Sequence, residues 1–183
     1  LGVDGVKAAK EALGLPVDKD FYVVPEAYDF FAAQKDARAK KEADWQKEFD
    51  AWSEENPELR KEWDAFHADA ATAEVAAPVF KVGDAIATRD ASNKAINMIA
   101  HRYGNFVGGS ADLMGPNKTK LEGCDGTYTP ENRKGRTIEY GIREFAMSAV
   151  AAGIRLHGGL RSFAATFLVF SDYLRPSLRV VSL

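Results

Sequence analysis

Residues 135–147 read GRTIEYGIREFAM, and the change of texture inside this run decides the fold. Arg136 to Ile142 is β-branched and aromatic, the composition of a strand. From Arg143 the pattern turns helical and continues, rich in alanine, to His157, where Gly158-Gly159 closes it. Glu144 stands in the first turn of that helix. A lone glutamate there ordinarily does no more than complement the helix dipole, so any chemical role has to come from its surroundings.

Working outward, helix and strand alternate on both sides. Residues 84–103 read as a helix with Ala95, Met98 and Ile99 on one face and Gly104 ending it. NFVGGSADL (105–113) reads as a short buried strand running into a glycine-rich turn. Residues 114–135 are loop-like. LRSFAATF (160–167) reads as another strand and residues 168–183 as another helix. This alternation predicts an α/β layered domain with a mostly parallel sheet. Such sheets bind ligands at the carboxyl ends of their strands, and GGSADL, GIRE and TFLVF all fall at those ends.

The first part of the chain is of another material. Residues 4–13 read as a short helix with Asp4 as cap and Gly14 as stop, and Pro25 opens a helix running through Phe31. Residues 33–74 are rich in Ala, Lys and Glu. Trp45, Phe49 and Trp52 fall at i, i+4, i+7, and Leu59, Trp63 and Phe66 repeat that spacing. Each set makes one apolar stripe. Asn56-Pro57 separates them, reading as an N-cap followed by Pro at the first helical position. Two helices are therefore expected, each docking a narrow aromatic seam, with solvated polar faces. The texture changes again near residue 76.

Composition excludes several classes of function. With 46% hydrophobic and 28% charged residues the chain reads as an ordinary globular protein. A net charge of −3 gives no electrostatic case for nucleic acid or an acidic membrane surface. No apolar run approaches the ~20 residues of a membrane span. The single Cys124 cannot form an internal disulfide, so a reducing cytoplasm is the default. The chain opens without Met, and RPSLRVVSL stops inside a helical pattern, so an excerpt of a longer protein is expected.

The run from Gly108 to Pro176 resembles the transketolase family through GGSADL, GRTIEYGIREFAM, AAGIRLHGG and TFLVFSDYLRP, in that order. The resemblance implies a thiamine-diphosphate-binding α/β fold, three-layered with a mostly parallel sheet and preceded by a helical linker. Residues 1–32 look like the tail of the diphosphate-binding domain, 33–76 like the linker, and 77–183 like the first half of the pyrimidine-binding domain. The implied activity is transfer of a two-carbon ketol unit from a ketose phosphate to an aldose phosphate. The implied setting is the pentose phosphate pathway in the cytoplasm, in a homodimer. Thiamine diphosphate then lies at the subunit interface, with Mg2+ or Ca2+ on its diphosphate. A sister ketol transferase such as dihydroxyacetone synthase shares these motifs. The non-enzyme alternative is a dimerisation or interaction module with an inherited fold.

By this resemblance Glu144 is the carboxyl group hydrogen-bonded to the pyrimidine nitrogen, which promotes the tautomer that activates the cofactor. Phe167 and Phe170 flank the pyrimidine and Tyr173 lies close by. Spaced by three, they would share an arc of about 120° on a helix. Asp112 matches an acidic residue near the cofactor. Arg89 matches the arginine that holds the substrate phosphate, a task suited to a planar guanidinium. The serine usual a few residues past SADL falls here on Pro116, which has neither hydroxyl nor N–H. Either the phosphate grip differs, through Asn117, or the donor preference has changed. Phe145 stands where many members carry histidine. No GDG followed by a distant Asn appears, and VGDA and CDGT do not match it. The cation and diphosphate ligands are therefore expected outside this stretch, which alone is expected not to catalyse.

Overall fold

The computed structural model describes residues 2–68 and 75–183, and the chain divides into two compact units between Pro57 and Glu58. The last residues of the expected 33–74 helical region, 69–74, lie outside the described residues.

The first unit is helical. Helix α1 spans Gly2–Ala12, so Asp4 sits in its first turn rather than at the cap. Gly14, at φ +68°, ends it as expected, with the Leu15 amide donating to the Lys10 carbonyl at 2.9 Å. Pro25 is the first residue of α2 (Pro25–Ala33), and α3 (Lys35–Glu55) follows after Gln34 alone. Along α3, Trp45 stacks on Phe49 and Phe49 on Trp52, with ring centroids 5.1 and 5.7 Å apart. Asn56 closes α3 instead of capping the next helix. Pro57 keeps the residue before it out of the helical region, and at φ −130°, ψ 61° the Asn56 side chain donates back to the Trp52 carbonyl at 2.9 Å.

The second unit holds most of α4 (Pro57–His67), then α5 (Thr88–Arg102), β1 (Phe106–Ser110), α6 (Met114–Asn117) and β2 (Thr137–Glu139). After these come α7 (Glu144–His157), β3 (Arg161–Ala165), a 3-10 turn (Leu168–Phe170) and α8 (Ser171–Val181). The strands form a parallel sheet in the order β2-β1-β3, with Gly108 opposite Thr137 on one side and Phe163 on the other.

Alternation along β1 sorts the layers. Phe106 faces one way and stacks on Phe163 at 4.9 Å, over a core of Ala100 from α5 with Leu121 and Cys124. Val107 faces the other way, beside Ile138 and Ile154, where Ser162 Oγ also donates to the Ala151 carbonyl of α7. Helix α5 therefore covers one face and α7 the other. Strand β2 is shorter than the sequence suggests. Gly141, at φ +69°, turns the chain out of the ladder so that α7 can begin at Glu144. The glycine pair in β1 is obligatory. A Cβ on Gly109 would lie 1.8 Å from the Ile138 carbonyl oxygen, and one on Gly108 2.2 Å from that of Phe163.

Three polar side chains of α5, at i, i+4 and i+8, fasten the long loop after α6. Asn93 Nδ2 donates to the Lys118 carbonyl at 2.6 Å. Asn97 Nδ2 donates to Lys120 O at 3.2 Å while its Oδ1 accepts from the Glu122 amide at 2.8 Å. His101 Nε2 lies 2.9 Å from Glu122 O. The Arg136 guanidinium closes the carboxyl end of α5, donating to the carbonyls of Ala100, Tyr103 and Gly104 at 2.8–3.0 Å. At the amino ends of β1 and β3, Gly104 and Gly159 leave room for the rings of Phe66 and His67 from α4. The opposite ends, where the strands finish, are left to the site.

Candidate functional site

A cavity of about 440 Å3 opens at the carboxyl ends of β1 and β2. Ala111, Asp112 and Leu113 supply one wall from the turn after β1, Ile142 and Glu144 a second, and Phe170 and Tyr173 a third. Glu144 is 9% exposed, and among the described residues its carboxylate has neither a hydrogen bond nor an ion pair. Local geometry fixes it there. The Arg143 amide donates to the Gly141 carbonyl at 2.8 Å, and Arg143 Nη1 to the Tyr140 carbonyl at 3.1 Å. One turn on, Met147 is 1% exposed and anchors α7 against Ala111 and Tyr140. The Tyr140 hydroxyl is buried without a protein partner, and burial pushes its pKa up to about 12. Asp112 holds φ +56°, a left-handed backbone that costs a non-glycine residue energy and is often kept for function.

A second cavity, of about 410 Å3, lies at the end of β3 beside the amino end of α5. Arg89, Ser92, Asn117, Thr119, Thr166 and Phe167 are among its walls. The expected site residues are thus divided. Glu144, Asp112, Phe170 and Tyr173 share the first cavity, and Arg89 and Phe167 the second. Phe167 parts from Phe170 and Tyr173 because it is still extended, at φ −66°, ψ 146°, and the 3-10 turn begins only after it. The helical arc holds for Phe170 and Tyr173, whose centroids are 6.4 Å apart. Phe145 points away from both cavities and is more than half exposed.

Ser110 joins the two cavities. Its hydroxyl donates to the Ala165 carbonyl at 3.0 Å and accepts from Asn117 Nδ2 at 2.8 Å. The amide nitrogen of Asn117 is therefore already engaged inside the protein. Sequence reasoning missed Thr119, Thr166 and Ile142 as parts of these walls, and Ser110 as the link between them. Ser110 and Thr166 lie inside quoted motifs, but nothing in a motif reveals a hydrogen bond to a carbonyl 55 residues away. Among the described residues, no three His, Cys, Asp or Glu side chains converge to hold a metal ion, and no helix is long and apolar enough to cross a membrane.

The family model for the pyrimidine-binding domain of transketolase matches residues 84–183, more than half of the chain. The chain belongs to the transketolase family. The model for the thiamine diphosphate-binding domain of transketolase matches residues 1–71. Transketolases of Treponema pallidum and Bacillus subtilis are 43% and 41% identical to it, in each case over all of this chain and 28% of the relative. A crystal structure of the Pichia stipitis transketolase in complex with sedoheptulose-7-phosphate superposes with a TM-score of 0.71 at 30% identity, covering 98% of this chain and 28% of that one. The chain thus spans between a quarter and a third of the transketolases it matches. Its parallel three-layer sheet is the α/β fold of transketolase thiamine-diphosphate-binding domains.

Proposed function

We propose that this chain forms the pyrimidine side of a thiamine diphosphate site, in an enzyme that moves a two-carbon ketol unit from a ketose phosphate to an aldose phosphate. The observation that carries the reading is Glu144: a buried carboxylate without a protein partner, on the wall of an apolar and aromatic cavity. Such a group needs a ligand that offers it a hydrogen bond. An aminopyrimidine fits, because it is a flat ring whose edge nitrogen can hold one proton in common with the carboxyl group. Phe170 and Tyr173 offer it aromatic faces, and Ile142, Ala111 and Leu113 exclude water.

When bound, thiamine diphosphate supplies the carbon nucleophile that attacks the ketose carbonyl. Glu144 shares a hydrogen with the ring nitrogen and holds it there while the cofactor is activated. Asp112 shapes the rim of the cavity. Arg89, in the neighbouring cavity, takes the substrate phosphate, and the sedoheptulose-7-phosphate complex of the Pichia stipitis relative supports that substrate class.

In this reading residues 1–32 close the diphosphate-binding domain, 33–76 link the domains, and 77–183 begin the pyrimidine-binding domain. The diphosphate and a divalent cation, Mg2+ or Ca2+, are held by residues outside this stretch, across the interface of a cytoplasmic homodimer. Glu144→Gln in the complete enzyme carrying this chain is expected to lower turnover by ~10²–10⁴-fold. Near-normal turnover would overturn the assignment.

A further inference from the structure

We propose that Arg143 is a positioning residue for Glu144: its guanidinium braces the turn between β2 and α7, and that brace sets the carboxyl group against the ring of the cofactor. The inference rests on the reading of Glu144 as the group that meets the aminopyrimidine. Ile142 and Glu144 both line the cavity, whereas Arg143 between them does not, so its part in the chemistry runs through its neighbours. The Glu144 carboxylate has no protein partner among the described residues to aim it. Its direction is therefore set by the backbone that carries it.

That backbone is held by Arg143 at two points. The ladder of β2 ends at Glu139, opposite Ser110, and α7 must begin by Glu144. The Arg143 amide donates to the Gly141 carbonyl at 2.8 Å, closing a tight turn around Ile142. Its side chain runs back, and Nη1 donates to the Tyr140 carbonyl at 3.1 Å. Tyr140 is buried in the cluster of Ala111 and Met147, so the guanidinium is tied to a fixed point of the core. Its path crosses Gly141, where a Cβ would lie 2.7 Å from Arg143 Nη1 and the backbone holds φ +69°. Glycine is required there both for the left-handed backbone and for room. Arg143 is also the N-cap residue of α7, at φ −151°, ψ 60°, and gives the helix no side-chain cap. A serine or aspartate would fix the first turn by accepting from its amides. The arginine instead fixes the strand end that precedes it, while its carbonyl accepts from the Met147 amide at 2.7 Å. Arg143 forms no ion pair among the described residues, so no carboxylate competes for the bond to Tyr140.

The test uses the complete enzyme carrying this chain, with thiamine diphosphate as the probe. Exchange of the thiazolium C2 proton is followed by NMR at saturating cofactor, and kcat and KM are measured with a ketose phosphate. Arg143→Met keeps the stem and removes the donor. It is expected to slow C2 exchange and kcat alike by about ten- to hundredfold, as a small misplacement of a reacting group does. KM for the ketose phosphate should stay within about twofold, because Arg143 does not reach the substrate. Arg143→Lys keeps a donor on a long stem and is expected to lie closer to the wild type than to Arg143→Met. In the Glu144→Gln background Arg143→Met should cost little more, because both residues act through one carboxyl group.

Unchanged C2 exchange in Arg143→Met, beside slow exchange in Glu144→Gln, overturns the inference and leaves the reading of Glu144 standing, even if the thermal midpoint falls, since that marks a purely structural role. Losses that multiply in the double variant overturn it as well, because Arg143 would then act on its own. Near-normal exchange in Glu144→Gln brings down the reading of Glu144, and the inference with it.

Discussion

The Ser110 hydroxyl reaches the Ala165 carbonyl at 3.0 Å and so ties the carboxyl end of β1 to that of β3. Ala111, the next residue after Ser110, lines the Glu144 cavity, and Ala165 lines the Arg89 cavity. The bond therefore sits in the partition between the place expected for the cofactor ring and the place expected for the substrate phosphate.

Removing this hydroxyl has a defined cost. Ser110→Ala strands the Asn117 amide, which donates to it at 2.8 Å. A loss of about 1–3 kcal/mol is expected. Urea denaturation of Ser110→Ala, Asn117→Ala and the double variant should show clear non-additivity, because both residues act through one bond. Simple addition of the two losses would show that the bond does not act as a unit.

Glu144→Gln should not destabilise the protein in the absence of cofactor. The carboxylate is buried without a protein partner. An amide is cheaper to bury than an unpaired carboxylate, and the helix start returns only ~0.3–1 kcal/mol to the charge. The thermal midpoint of the cofactor-free variant is expected to equal or exceed that of the wild type. A midpoint several degrees lower would mean that Glu144 has a structural partner.

Tyr140 governs an alkaline transition. Burial raises its pKa from 10 to about 12 in the folded protein. Its contribution is fully present below pH 10, where both folded and unfolded states are neutral. Between pH 10 and 12 the unfolded state ionises first and stability falls, by about 1.4 kcal/mol per pH unit. Tyr140→Phe removes this slope, and it costs little at neutral pH because the hydroxyl has no protein partner to lose. Denaturation midpoints measured from pH 8 to 11.5 would show the two proteins level at first and then diverging as pH rises, with Tyr140→Phe the more stable. Parallel curves would exclude Tyr140 as the source.

Gly159 reports on the docking of α4. A Cβ there would lie 2.8 Å from the His67 ring, on a backbone at φ +80°. Gly159→Ala should cost about 1–3 kcal/mol, and His67→Ala in the same chain should recover the part due to the clash. Full recovery would show that the left-handed backbone carries no strain, and no recovery that the ring moves aside freely.

The layered α/β plan, the parallel sheet, the helix breaks at Gly14, Pro25 and Pro57 and the helix start at Glu144 were legible in the residues. Each depends on local chemistry: side-chain period, a left-handed backbone at glycine, or the fixed φ of proline. The aromatic stripes of α3 and α4 were legible for the same reason. Asn56 was misread because an asparagine between two helices can cap either one, and only the backbone angles imposed by Pro57 choose between them.

The two cavities were not legible. Phe167, Phe170 and Tyr173 share a spacing, but one extended residue sends Phe167 to the Arg89 side, and whether a turn of helix has begun is settled by where β3 stops pairing with β1. Ser110, Thr119 and Thr166 meet around Asn117 and Ala165 only because loops and strands far apart in sequence are brought to one sheet edge. Residue type and spacing alone determined the long helices and the strands and marked Glu144 as a helix-start acid, though not the short helix α6 in a stretch that reads as loop or the 3-10 turn before α8. The tertiary structure alone decided that its carboxylate is buried without a protein partner, because burial and the want of a partner depend on atoms that neighbours in sequence do not supply.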